Sequence, residues 1–153
     1  MSRVYLVRHA IAEERERWTA PDSERSLTAA GNEQATRLAE QFGGEGIGSV
    51  LSSPSVRCVQ TVQPLATRLG LPVTRAPVLA EGSEPGAALR FLAGAEAKAL
   101  AACTHGDVIQ GVLWLLARDG VLGERDIKLK KASTWLMRID NGRVRSARYL
   151  PPP

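Results

Sequence analysis

The chain contains two histidines, and both stand at the end of an apolar run. His9 follows Arg3-Val4-Tyr5-Leu6-Val7-Arg8, and His105 follows Ala99 to Thr104 and precedes Gly106. Short β-branched and aliphatic runs of this kind read as buried parallel strands. In open α/β sheets the loops beyond the carboxyl ends of strands form the ligand crevice, so each imidazole is expected on its floor. Arg8 arrives beside His9, and Arg57 falls in the first turn of a helix opened by Pro54. Guanidinium forks match the oxygens of a phosphoryl group bidentately, and the free amides of a helix's first turn can face the same anion. Arg25, in the loop before the first expected helix, is a third such group. Neutral imidazole is one of the side chains that can form a covalent intermediate with phosphorus, and surrounding arginines disfavour imidazolium.

The elements that must position these groups follow in order. After the strand comes a polar loop, Ile11 to Glu24, with a Pro21-Asp22 turn signal. Thr28 is a natural N-cap for a helix carrying Ala35, Leu38, Ala39 and Phe42 at helical spacing, ended by Gly43-Gly44. Ile47 to Leu51 reads as a second strand and Ser55 to Leu69 as a helix closed by Gly70. Pro72 to Ala76 is a short strand, Ala80 to Glu84 a loop and Pro85 to Leu92 a helix. Leu100 to Thr104 is a buried strand, and a helical pattern runs from Asp107 to Asp119-Gly120. Thr134 to Asp140, Asn141-Gly142 and Val144 to Tyr149 form a hairpin signal. Alternating strands and helices followed by a hairpin predict a three-layer α/β/α sandwich around a mostly parallel central sheet. Trp114 and Trp135 fall on apolar faces and are expected in the core.

Composition narrows the classes. A chain of 153 residues reads as a single domain over 1–150 with a Pro tail at 151–153. Its hydrophobic content of 44% holds no run long enough for a membrane span, and Met1-Ser2-Arg3 leads directly into the first strand, so a cytoplasmic protein without a signal peptide is expected. The 20 Lys and Arg against 16 Asp and Glu are spread along the chain, and aromatics are only 5%, which argues against nucleic acid as a partner. Cys58 and Cys103 lack metal-ligand neighbours and read as small buried hydrophobes. A metal held by His9, His105 and Glu81 is disfavoured by the nearby arginines, which would repel a cation.

Four segments, Leu6-Val7-Arg8-His9-Ala10, Arg25-Ser26-Leu27-Thr28-Ala29-Ala30-Gly31, Ser52-Ser53-Pro54-Ser55-Val56-Arg57-Cys58-Val59-Gln60-Thr61 and Thr104-His105-Gly106, occur in this order and spacing. Together they resemble the histidine phosphatase superfamily, with its phosphoglycerate-mutase-like fold, over nearly the whole chain. The Arg-x-Leu-Thr-x-x-Gly segment is most similar to the bacterial phosphohistidine phosphatase branch.

The resemblance implies a metal-independent phosphatase without a cofactor. His9 would attack phosphorus and become phosphohistidine, Arg8, Arg25 and Arg57 would bind the phosphate, and His105 would hold an equatorial oxygen of the transferring group. The family's esterases and mutases use a carboxylic acid from the loop after the third strand. Leu79-x-Glu81 matches that position best, although Glu84 lies close and either could be a surface acid or a charge at a helix start. The implied partner is a phosphorylated protein carrying phosphohistidine, or a small phosphate ester such as a sugar, nucleotide or cofactor-precursor phosphate. From another class, a phosphate-sensing or scaffold module without turnover would use the same arginines. Ala10 stands where the family more often has glycine, which implies a slightly different backbone if that glycine serves a positive φ. The short span from Arg57 to His105 leaves no room for cap insertions, so a shallow, open site is expected.

Overall fold

A computed structural model describes residues 1–153. Six strands, β1 (Ser2–Arg8), β2 (Ser49–Ser52), β3 (Val73–Arg75), β4 (Ala99–Thr104), β5 (Thr134–Asp140) and β6 (Arg143–Leu150), form one sheet in the order β3-β2-β4-β1-β5-β6. The first four in that order run parallel, whereas β5 is antiparallel to β1 and β6 antiparallel to β5. The sheet is therefore a parallel half joined to an antiparallel hairpin, and β1 is the seam between them. Val4, Tyr5, Leu6 and Val7 are all buried because both faces of this strand are covered.

Helices α1 (Ala29–Phe42) and α2 (Val56–Leu69) cover one face, and α3 (Pro85–Ala93) and α4 (Gly106–Arg118) the other. Tyr5 and Val7 join Ala35, Leu38, Val62 and Leu65 in the first core. Val4 and Leu6 join Leu92, Ile109, Leu113 and Trp135 in the second. These are the three layers expected from the alternation of elements.

Local signals set several boundaries. The Thr28 hydroxyl accepts from the Gly31 amide at 3.0 Å, capping α1. Gly70 closes α2 in the left-handed conformation at φ 69°. Asn141 and Gly142, at φ 51° and 73°, make the tight β5–β6 turn, whose twist suits two right-twisted strands.

Two expectations need correction. Pro54 lies before the N-cap, Ser55, and not in the first turn of α2. Trp114 is 57% exposed and not in the core, because α4 buries Val108, Ile109, Val112, Leu113 and Leu116, and Trp114 falls on the opposite side of the helix. Trp135 is buried, with its indole N–H donating to the Lys128 carbonyl at 2.9 Å.

Candidate active site

Arg8 and Thr104 are in register on the parallel strands β1 and β4, so the residues that follow them, His9 and His105, leave the sheet side by side. Their ring centroids are 5.6 Å apart in an edge-on arrangement. Nδ1 of His9 lies 2.8 Å from the Ala10 carbonyl. A carbonyl only accepts, so Nδ1 carries the proton and Nε2 keeps its lone pair. His9 is 7% exposed. Burial, joined by the charges of Arg57, His105 and Arg8, lowers its pKa to about 3 against the pull of the Ala10 carbonyl. The arginines thus act as expected on this ring, but burial is the larger cause.

His105 is fixed on both sides. The Arg57 guanidinium points Nη2 at Nδ1 from 3.3 Å, and since a guanidinium only donates, Nε2 holds the proton and gives it to Ser53 Oγ at 2.8 Å. Cys58 Sγ lies 3.6 Å from the same Nε2. Both cysteines are buried, as expected, but Cys58 is also a wall of the His105 pocket.

Ala10 fits without strain. The non-glycine residues with positive φ are Ala132 and Asn141, and the Ala10 amide donates to Thr61 Oγ1 at 2.9 Å. No glycine is needed at this backbone geometry.

Arg57, second residue of α2, is 1% exposed and meets two carboxylates: Asp22 Oδ2 at 3.2 Å and Glu81 Oε2 at 3.3 Å. Its Nη1 donates to the Asp22 carbonyl, and its buried Nε has no partner. Arg25 donates from Nε to Asp22 Oδ1 at 3.0 Å and from Nη1 to the Glu13 carbonyl at 2.7 Å. Burial alone would raise the Asp22 carboxyl, but the bond from Arg25 and the charges of Arg57, Arg25 and Arg15 bring it below its ordinary value. Arg8 donates from Nη1 to the Leu129 carbonyl, and its buried Nε is unpartnered. The guanidinium rests on Gly106, where a Cβ would stand 3.0 Å from its central carbon. A side chain at this position would make the guanidinium give by a few tenths of an ångström.

An open cleft of about 640 Å³ is lined by Arg8, His9, Arg25, Glu81, His105 and Lys131 among others. Its helix N-terminus is that of α4, through Gly106 and Asp107, and not that of α2. Glu81 and Glu84 separate cleanly. Glu81 Oε1 meets Arg15 at 3.2 Å and its other oxygen meets Arg57, whereas Glu84 caps α3 by accepting from the Gly86 and Ala87 amides at 2.7 and 2.8 Å. Those amide bonds hold the Glu84 carboxyl below its ordinary pKa.

Of the six residues singled out from the sequence, Arg8, His9, Arg25, Glu81 and His105 line one cleft, and Arg57 lies buried behind it, touching Glu81 and His105. Sequence reasoning missed Asp22, Ser53, Arg15 and Lys131. Asp22 was visible only as part of a turn, and Lys131 ends the Lys128-Leu129-Lys130-Lys131 run ahead of the strand that pairs with β1.

The ends of the parallel strands β1 and β4 thus set two imidazoles side by side, with guanidinium groups from β1, the loop before α1 and α2 gathered about them. The chain belongs to the histidine phosphatase superfamily, whose branch 1 family model matches residues 4–84. It is 34% identical to an 8-oxo-(d)GTP phosphatase of Mycolicibacterium smegmatis over 157 residues, covering 98% of this chain and 48% of that protein. The chain therefore spans about half the length of this curated relative. Among solved structures, a SixA protein from Agrobacterium tumefaciens superposes with a TM-score of 0.78 at 23% identity, covering 99% of this chain and 98% of that one. The protein histidine phosphatase SixA complexed with tungstate superposes with a TM-score of 0.74 at 23% identity, covering 97% and 94%. None of the helices is long and apolar enough to cross a membrane.

Proposed function

We propose that this domain is a phosphatase that works through a covalent phosphohistidine on Nε2 of His9. One observation carries the reading: Nδ1 is committed to the Ala10 carbonyl, so the remaining nitrogen is an unprotonated nucleophile inside a ring of guanidinium groups. Its lone pair forms the N–P bond while the bond from phosphorus to the leaving group breaks, the leaving group keeping that electron pair. Water then attacks phosphorus, the N–P bond breaks toward Nε2, and phosphate departs. Nδ1 keeps its proton throughout.

Arg8 and Arg57 are the forks for the phosphoryl oxygens and Arg25 supports them. An arriving phosphoryl group competes with Asp22 and Glu81 for Arg57, and His105 stabilises an equatorial oxygen in the transition state. The guanidinium groups supply the positive charge that a metal provides in other phosphatases. A pure phosphate sensor has no use for an imidazole kept neutral at this place, so the binding-module reading is the weaker one.

Two substrate readings each have an observation behind them. Protein phosphohistidine fits an open cleft, and its imidazole leaving group departs without much assistance. A small phosphate ester fits the carboxylate of Glu81, which stands at the cleft where an alkoxide needs a proton, and the relative named as an 8-oxo-(d)GTP phosphatase points the same way.

The test is rapid-quench mass spectrometry, without acid, after mixing the protein with phosphohistidine-bearing protein, p-nitrophenyl phosphate and nucleotides. A transient phosphoryl adduct on His9, absent in His9→Ala, is expected together with phosphate release, and the fastest substrate identifies the class. Tight phosphate binding with neither adduct nor release would leave the sensor.

A further inference from the structure

We propose that Lys131, with Arg25 nearby, receives a second anionic group of the substrate, so that the preferred small substrates carry two linked phosphates. This rests on the phosphatase reading above and on its small-substrate form.

Lys131 is placed by the same backbone that places the candidate nucleophile. The amide of the next residue, Ala132, is shared between the carbonyls of Arg8 at 3.1 Å and His9 at 3.2 Å. Ala132 adopts φ 64° to do this, a left-handed conformation that a residue with a Cβ rarely takes, and it is fully buried. The Arg8 amide donates to the Ser133 carbonyl at 3.0 Å, and the Arg8 side chain donates back to the Leu129 carbonyl. The segment 129–133 is therefore laced to the end of β1, and its one side chain left facing the cleft as a cation is Lys131.

That ammonium has no ion-pair partner, although carboxylates line the same cleft. Glu81 pairs with Arg15 and Arg57, and Glu14 with Arg17, while Glu13, Glu16 and Asp107 line the cleft without pairing to the ammonium. Its charged neighbours are instead Arg8 and Arg25, whose fields add to burial in lowering its pKa. Of these three cations only Arg25 has a carboxylate partner, Asp22, and two unpaired charges beside it form a place where an anion relieves repulsion. The forks of Arg8 and Arg57 already suffice for one phosphoryl group, so the surplus charge of Lys131 serves a neighbouring one. A flexible ammonium with three donors suits a second phosphate, whose position shifts from one substrate to another, better than a rigid fork would.

The direct test is calorimetric binding of two non-hydrolysable probes, methylphosphonate and methylenediphosphonate, to the wild type, Lys131→Met and Lys131→Arg. The wild type should bind the diphosphonate about tenfold tighter or more, the effect of one charged hydrogen bond. Lys131→Met should lose that preference while holding methylphosphonate within about twofold, and Lys131→Arg should keep most of it. In turnover, kcat/KM for a nucleoside diphosphate should fall in Lys131→Met by a similar factor relative to p-nitrophenyl phosphate. Equal weakening of both probes would place Lys131 on the reacting phosphoryl group and overturn the proposal. So would an unchanged preference, or a wild type that does not distinguish the probes. Binding needs no turnover, so this outcome is read separately from the phosphohistidine adduct that tests the phosphatase reading.

Discussion

Gly31, in the first turn of α1, lies so close beneath Ile11 that a Cβ on it would stand 2.0 Å from the Ile11 carbonyl oxygen. The same carbonyl accepts from the Thr28 amide at 3.0 Å, so the loop that leaves His9 is pinned to the start of the helix. Gly31→Ala must push helix and loop apart. An overpacked position of this kind costs about 1–3 kcal/mol, and the loss should appear in chemical denaturation. Activity should fall with it, because the displaced loop carries Glu13 and Arg15 into the cleft.

The His9 imidazole should remain neutral throughout the physiological range. Its folded pKa of about 3 lies below the ordinary 6.5, so between these values the unfolded chain binds a proton here that the folded chain does not. The contribution to stability is complete above about pH 6.5 and falls as pH drops toward 3, by at most about 1.4 kcal/mol per pH unit. Imidazole nitrogen shifts followed by NMR should show no titration of His9 from pH 8 to pH 4, and His9→Asn should flatten the acid slope of stability. A midpoint near 6 would refute the buried neutral state.

Glu81 and Glu84 should part company under substitution. Glu81→Gln is expected to slow hydrolysis of an alkyl phosphate by about a hundredfold or more, the range for a general acid, with a much smaller effect on p-nitrophenyl phosphate, whose leaving group needs no proton. Glu84→Ala should leave both rates alone and lower the melting temperature, since it removes the cap of α3. If Glu81→Gln slows both substrates equally, the carboxylate serves only to hold Arg57 and Arg15.

Ser53 is fully buried and is the strong partner of His105 Nε2. Ser53→Ala leaves that N–H beside the Cys58 sulfur alone. The expected result is a fall in kcat of about tenfold with KM little changed, one hydrogen bond's effect on how the ring is held. A change confined to KM would mean that the serine shapes binding instead.

Much of this domain was legible because its signals are local. The run Val4 to Val7, the Thr28 cap and the Asn141-Gly142 turn each act through neighbours a few residues away, and each element formed where its residues asked for it. The two histidines were found because a charged or titratable group at the end of a buried strand has few places to go. Asp22 and Lys131 were not legible, because their roles depend on which loops meet over the sheet. Asp22 touches Arg15, Arg25 and Arg57 from a turn that looks ordinary in sequence, and Lys131 reaches the cleft only because β5 pairs antiparallel with β1. Trp114 was misplaced for a related reason: α4 is apolar on more than one side, and the buried side is decided by the sheet it lies on.

The seam position of β1 bears on how the molecule is made. Its two ladder partners are Ala99–Thr104 and Thr134–Asp140, so this strand waits for about two thirds of the sequence before its first neighbour exists and for most of the rest before the second. During that interval Val4 to Val7 form a bare apolar edge of the sort that chaperones cover and that aggregates extend. His9 and His105 come abreast only when β4 docks, and the amide of Ala132 locks their floor only when β5 follows. Nascent chains lacking the last hairpin are consequently the vulnerable species, sticky and inert at once.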